Sequence, residues 1–148
     1  MISPANITQD RIVVDTDVVS YIFRDDERAK FFEQYFVHRS LAVSFATVGE
    51  LYYGAFKADW PPRSITRLET ALKNYVVLPY DVEVARHWGR IRAEHQKQGH
   101  DIGFNDCWIA ATALKYGCAL ATNNLKDFEC TSGLTIISPG LASQPPTI

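Results

Sequence analysis

Basic residues do not dominate this chain: 15 Lys and Arg stand against 17 Asp and Glu, a formal net charge of −2 over 148 residues. The global positive field of many nucleic-acid binders is therefore absent, and any grip on a polyanion must be local. Cysteine is scarce. Cys107, Cys118 and Cys130 are odd in number and form no CxxC, which excludes a disulfide framework and a zinc knuckle. No apolar run approaches the roughly 20 residues of a membrane span. The opening MISPANITQDR has no apolar core of the signal-peptide kind, so a reducing cytoplasm is the expected setting. Glycine-rich phosphate loops and the nucleophile elbow GxSxG are missing, so nucleotide-cofactor and serine-hydrolase classes lack their signatures. His38, His87, His95 and His100 have no spacing that suits a helical metal pair, and each reads as a surface or rim residue.

What is present is an ordinary globular composition, 47% hydrophobic and 22% charged, in a length that suits one domain. Residues 1–10 are polar and read as a loose lead-in. Arg11 to Asp15 (RIVVD) is a buried strand, followed by short helices over 17–23 and 26–38. Leu41 to Phe45 is a second strand. Residues 47–58 form an amphipathic helix with Val48, Leu51, Tyr52, Ala55 and Phe56 on its apolar face. Pro61-Pro62 breaks the chain before a helix bearing Ile65, Leu68, Leu72 and Tyr75. Val76 to Leu78 is a third strand. Asp81 caps a helix with Val82, Ala85, Trp88, Ile91 and His95 on one face. A further helix runs from near Gly103 to Tyr116, with Gly117 as its stop. Cys118 to Thr122 and Leu134 to Ile137 are the last strands, and the tail from Pro139 is expected to be disordered or draped on the surface. Apolar strands alternating with helices predict a parallel sheet covered on both faces. In such sheets ligands gather beyond the carboxyl ends of the strands, where strand order reverses.

That rule selects the chemistry-bearing residues. Asp15 ends the first strand. Asp17 follows it and reads as a helix N-cap. Glu50 lies one turn into the helix after the second strand, in a row with Thr47 and Gly54 beside the apolar stripe. Asp106 opens a helix whose apolar flanks and small Ala110-Ala111 pair hold it close to the sheet. Thr122 and Asn124 stand at the end of the fourth strand as turn residues, and Asp127 caps or holds that turn.

Taken together, VVDTDVVS, SFATVGELYYGA, IGFNDCWIAATAL and LATNNLKDFE resemble the PIN-domain family, and within it the ribonuclease toxins of bacterial VapBC-type toxin–antitoxin pairs. The likeness runs from about residue 11 to 138, with 139–148 as a flexible tail of a single domain over 1–148. It implies a three-layer α/β/α fold around a parallel sheet of five strands in the order 3-2-1-4-5. It also implies that Asp15, Glu50 and Asp106 are the metal-site carboxylates. The family's fourth acidic slot reads Thr122-Asn123-Asn124, so Asn124 stands where an Asp is common, which leaves one or two metals open. Thr122 and Asp127 are supporting residues. An endoribonuclease using Mg²⁺ or Mn²⁺ follows from the likeness, with RNA as substrate and an antitoxin and a second copy of the chain as partners.

Hard oxygen donors suit those ions. Without a cation, converging carboxylates repel by about 1–4 kcal/mol per pair near 4 Å, and at least one pKa rises. Arg24, Arg28, Arg63, Arg67, Arg90 and Arg92 are candidates for an RNA path, although a solvated helix face explains most of them. Phe31, Phe32, Tyr35 and Phe36 wrap too far around their helix for one sheet face, and Tyr52, Tyr53, Phe56 and Trp60 make a second aromatic excess that suits a protein partner. Two alternatives stand beside this reading. Asp15-Thr16-Asp17-Val18-Val19 also resembles the DxDx[TV] motif of haloacid-dehalogenase phosphohydrolases, with Ser44 as a second motif. A PIN-like module that binds without catalysis is the other.

Overall fold

The computed structural model describes residues 3–142. Five strands form one parallel sheet: β1 (Arg11–Val14), β2 (Ser40–Ser44), β3 (Val76–Leu78), β4 (Ala119–Ala121) and β5 (Ile136–Ile137). Their order is β3-β2-β1-β4-β5, the order the family resemblance implies. Val14 pairs with Ala121 and Val13 with Ala42, so the order reverses between β1 and β4. Side chains alternate across the sheet, as strand geometry requires. Val13, Ala42 and Leu120 join one core under α5 (Val82–Lys97) and α6 (Phe104–Lys115). Ile12, Val14, Val43 and Ala121 join the other, under α1 (Thr16–Phe23) and α2 (Lys30–Phe36). This is a three-layer α/β/α arrangement with both faces of the sheet covered.

Local chemistry starts and stops the helices that matter. Ser44 caps α3 (Phe45–Lys57), its hydroxyl accepting from the Ala46 amide at 3.0 Å. Asp81 caps α5 by accepting from Val84 N. Pro62 occupies the first position of α4 (Pro62–Leu72), where a missing N–H costs nothing. Gly117, at φ +65°, takes the left-handed turn that ends α6.

Several expectations need correction. The stretch 26–38 is not one helix but a 3₁₀ turn, Glu27–Ala29, leading into α2. The lead-in is tied down: Ile7 is buried, and Arg39 donates to the carbonyls of Pro4, Ile7, Gln9 and Tyr35. The buried face of α3 is turned toward Thr47 and Ala55, and Phe56 is 62% exposed, because α3 packs on α1 and α6 as well as near the sheet. On α5 the buried positions are Val84, Ile91 and His95, while Val82 is 80% exposed and Ala85 is exposed too. His95 is therefore no rim residue: it is fully buried, with Nε2 2.9 Å from the Thr131 hydroxyl. Of the expected tail, Pro139–Ala142 form a short, partly exposed helix, α8, that follows a buried Ser138, in keeping with a segment draped on the surface rather than a disordered one. The rest of the expected tail, 143–148, lies outside the described residues. Among the described residues no helix is long and apolar enough to cross a membrane.

Candidate active site

At the reversal between β1 and β4 the two strands release Asp15 and Thr122 side by side. Asp15 N still donates to Ala121 O (2.9 Å) and Thr122 N to Ile137 O (3.0 Å), so the ladder holds both residues at its very end. Asp15 is 4% exposed. Its Oδ1 accepts from the Thr16 amide (2.8 Å) and its Oδ2 from the Thr122 hydroxyl (2.7 Å). The same Thr122 oxygen accepts from Asn124 N (3.0 Å), which fixes the turn carrying Asn124 into α7 (Leu125–Phe128).

Asp15, not Asp17, is the N-cap of α1. Asp17 is the second residue of that helix. Its Oδ1 accepts from Val18 N (2.7 Å) and its Oδ2 from Asn123 N (3.2 Å), so it staples α1 to the β4–α7 turn. In the sequence Asp17 reads as a helix cap, or as the acid/base of the phosphohydrolase alternative, and not as part of the nuclease site. The signal for more was its place two residues beyond a buried strand end, at the positive end of a helix. Glu50 reaches across from α3, where Thr16 Oγ1 donates to its Oε1 (2.8 Å) and lies 3.0 Å from Thr47 Oγ1. Asp106 sits in the first turn of α6. That helix packs close to the sheet because Ala110, Ala111 and Ala113 are fully buried and small.

Asp15, Asp17, Glu50, Asp106 and Asn124 line one cleft of about 440 Å³, with Arg24 and Arg28 at its border. The side chains singled out from sequence thus come together from four segments of the chain. Asp127 stands beside Asp106, within hydrogen-bonding reach of it. Of the six arginines named from sequence, Arg24 and Arg28 alone line this cleft. Arg28 is braced by Asp26 (2.8 Å) and lies 4.1 Å over the Tyr21 ring.

Electrostatics mark the cleft as a place short of positive charge. Burial, then the neighbouring Asp17, pushes Asp15 up to about 8 despite the two donors that favour its ionised form. Burial, then Asp127 and Glu50, raises Asp106 to about 6. Asp17 is raised as well, chiefly by burial. Among the described residues no three acidic, His or Cys side chains yet converge at ligand spacing. The carboxylate oxygens are turned onto protein donors instead, Glu50 onto Thr16 and Asp15 onto Thr122. The donor set is nevertheless all hard oxygen, with no imidazole or thiolate around the cleft, and it fits Mg²⁺ or Mn²⁺ better than zinc.

Ser44 does not serve the phosphohydrolase alternative. It is fully buried, 2.8 Å from the Tyr80 hydroxyl, and it caps α3 away from the cleft.

Known proteins resemble this chain in sequence and in fold. The PIN domain profile matches residues 12–132. A protein from Haemophilus influenzae named ribonuclease VapC2 is 41% identical over 121 residues, covering 80% of this chain and 90% of its own length. One from Shigella flexneri, named tRNA(fMet)-specific endonuclease VapC, is 33% identical over 125 residues, 84% of this chain and 94% of that one. Among solved structures, DNA-bound VapBC from Salmonella typhimurium superposes with a TM-score of 0.77 at 31% identity, covering 88% of this chain and 98% of its counterpart.

Proposed function

Because this chain belongs to the PIN-domain family, we propose that it is an endoribonuclease that hydrolyses RNA phosphodiester bonds with the help of Mg²⁺ or Mn²⁺. We read it as a single domain and as the toxin of a toxin–antitoxin pair, acting in the cytoplasm. The observation that carries the reading is the gathering of Asp15, Asp17, Glu50, Asp106 and Asn124 around one cleft at the switch point of the sheet.

Asp15 and Asp106 would be the principal metal ligands, with Glu50 the third and Asn124 a neutral ligand or hydrogen-bond donor to substrate. When bound, the cation supplies positive charge against the phosphate and acidifies water near it. The remaining work falls to the chain. Thr122 and the Thr16 amide hold the Asp15 carboxylate at the end of β1, on the wall of the cleft. Glu50, once turned from the Thr16 hydroxyl, orients the attacking water and accepts its proton. That water's oxygen bonds to phosphorus as the P–O bond to the leaving nucleotide breaks. Asp17 keeps the β4–α7 turn, and with it Asn124, at the mouth of the cleft. Asp127, beside Asp106, adds negative charge to the cleft and raises the Asp106 pKa together with burial, so a bound cation would relieve both acids.

The partners follow from surface and homology together. Phe32 and Tyr35 are buried, so α2 does not carry the leftover apolar surface. Phe45, Tyr53, Phe56 and Phe104 carry it instead, all of them exposed. Such surface suits an antitoxin or a second copy of the chain, in keeping with the VapBC complexes of its structural relatives. Three free cysteines suit a reducing compartment.

The test is cleavage of RNA by protein purified free of any partner, in Mg²⁺ and in Mn²⁺. Asp15→Ala and Asp106→Asn proteins, prepared identically, are the controls. Cleavage that falls at least a hundredfold in both, on the order expected when a metal ligand is lost, supports the reading. Equal cleavage by all three proteins would refute it. Faithful RNA binding without cleavage would make the chain a binding module.

A further inference from the structure

A groove leads out of the carboxylate cleft toward two aromatic rings. Thr16, Ser20, Arg24 and Glu50 border the cleft and also an adjoining depression of about 330 Å³ that runs to Phe23 and Trp60. Beyond those rings the surface opens into a further hollow of about 540 Å³, bordered by Arg24, Ser64 and Arg67, with the exposed Asp25 at its lip. Phe23 ends α1, and Trp60 lies in the turn between α3 and α4. Their rings stack 5.8 Å apart at 21°. The Arg67 guanidinium lies 5.3 Å over Phe23. Arg24 is held between cleft and groove by donating Nη2 to Ser20 Oγ (2.8 Å). Among the described residues neither Arg24 nor Arg67 forms an ion pair, whereas Arg28, Arg92 and Lys115 each do.

Two arginines without carboxylate partners, set around half-buried stacked rings, are what an unpaired nucleotide requires. Every base offers a π-face to an aromatic side chain, and guanidinium groups meet phosphate. On a chain of net charge −2 this is a local cationic track, continuous with the site of reaction. The volumes fall within the range of small-molecule pockets. We infer that the groove along α1 and the α3–α4 turn is a nucleotide subsite: one unpaired base of the RNA beside the scissile bond stacks on Trp60 and Phe23, and its phosphate meets Arg24 and Arg67. This subsite rests on the nuclease reading above. It would favour RNA that is single-stranded at the cut, because a paired base cannot leave its helix to reach the rings without the cost of unstacking.

The experiment is fluorescence anisotropy in Mg²⁺ with a labelled single-stranded oligoribonucleotide, using Asp106→Asn protein as the parent so that the probe stays intact. Trp60→Leu is expected to weaken binding by about fivefold or more, the loss of one base–aromatic stack. In a series of oligonucleotides with a single abasic position moved along the strand, one position should weaken binding to the parent and add nothing in the Trp60→Leu protein. Arg24→Gln and Arg67→Gln alter exposed side chains and leave the fold alone. Each should lower the slope of log affinity against log salt by about 0.7. Unaltered affinity, abasic profile and salt slopes in all three variants, with the parent still binding RNA, would overturn the subsite and leave the nuclease reading intact. A parent that binds no RNA would overturn both. Loss of affinity for a protein partner with RNA binding preserved would assign the groove to that partner and end the proposal.

Discussion

Asp15 has both carboxylate oxygens held, by the Thr16 amide and the Thr122 hydroxyl, and still titrates near 8 because burial and Asp17 outweigh those donors. Asp106 titrates near 6, through burial and the acids around it. An unfolded Asp titrates at about 3.9. Between that value and its folded pKa, each group holds in the native state a proton the unfolded chain has lost. Stability therefore falls as pH rises through the window, from about 4 to about 6 for Asp106 and on to about 8 for Asp15. The buried His95, whose pKa is lowered by burial and then by His100, pulls the other way, so the difference between proteins is the cleaner measure. In EDTA, Asp106→Asn should melt above wild type at neutral pH by the equivalent of about 1 kcal/mol, since water in the open cleft screens part of the repulsion. The gap should close near pH 4. A variant that melts below wild type throughout would show that Asp106 is not under electrostatic strain.

At the scale of elements, the ends of strands and helices place the site, and side chains on neighbouring segments fix those ends. Asp17 binds α1 to the β4–α7 turn, and Thr122 joins that turn to the end of β1. Arg39 does the same for the first residues, stitching Pro4, Ile7 and Gln9 to the α2–β2 turn. An Arg39→Met substitution keeps the stem and removes the donors, leaving those carbonyls without their charged partner. We expect a loss of about 2 kcal/mol in stability, from hydrogen bonds to a charged group, and faster hydrogen exchange confined to residues 3–10. Exchange unchanged in that segment would show that packing of Ile7 alone holds it. Parts of these elements were legible in the sequence. The β-branched run Ile12-Val13-Val14, the Asp81 cap and the Gly117 stop are local signals, and the structure follows them. Helix rotation was not legible. Periodicity gave Phe56 and Val82 to buried faces, because it cannot tell which part of an apolar arc the neighbouring helices cover. His95 fell on the apolar face by periodicity and is buried there; its reading as a rim residue followed its polar type, and the partner that satisfies its Nε2, Thr131, lies 36 residues away.

For the molecule as a whole, an acidic protein that works on a polyanion must acquire positive charge where the reaction occurs. A divalent cation in the cleft would supply it and relieve the mutual repulsion of four carboxylates, so binding should stabilise the fold. At a hundredfold excess over Kd the gain is about 2.7 kcal/mol, several degrees in Tm. Mn²⁺ or Mg²⁺ should raise the Tm of wild type and leave that of Asp15→Asn nearly unmoved, a result read by thermal unfolding without any nuclease assay. Equal shifts in both proteins would place the ion elsewhere.

The sequence by itself determined the alternating β/α order, the turn residues and the four motifs whose likeness to a known family carried Asp15, Glu50, Asp106 and Asn124. These are short-range matters of periodicity, capping and composition. Only the tertiary structure decided that Asp17 shares the cleft, that Glu50 rests on Thr16, and that a groove bordered by Arg24, Trp60 and Arg67 adjoins the cleft along α1. Those contacts join segments tens of residues apart. Their geometry depends on how far each helix turns when it packs on the sheet, a quantity set by all its neighbours at once.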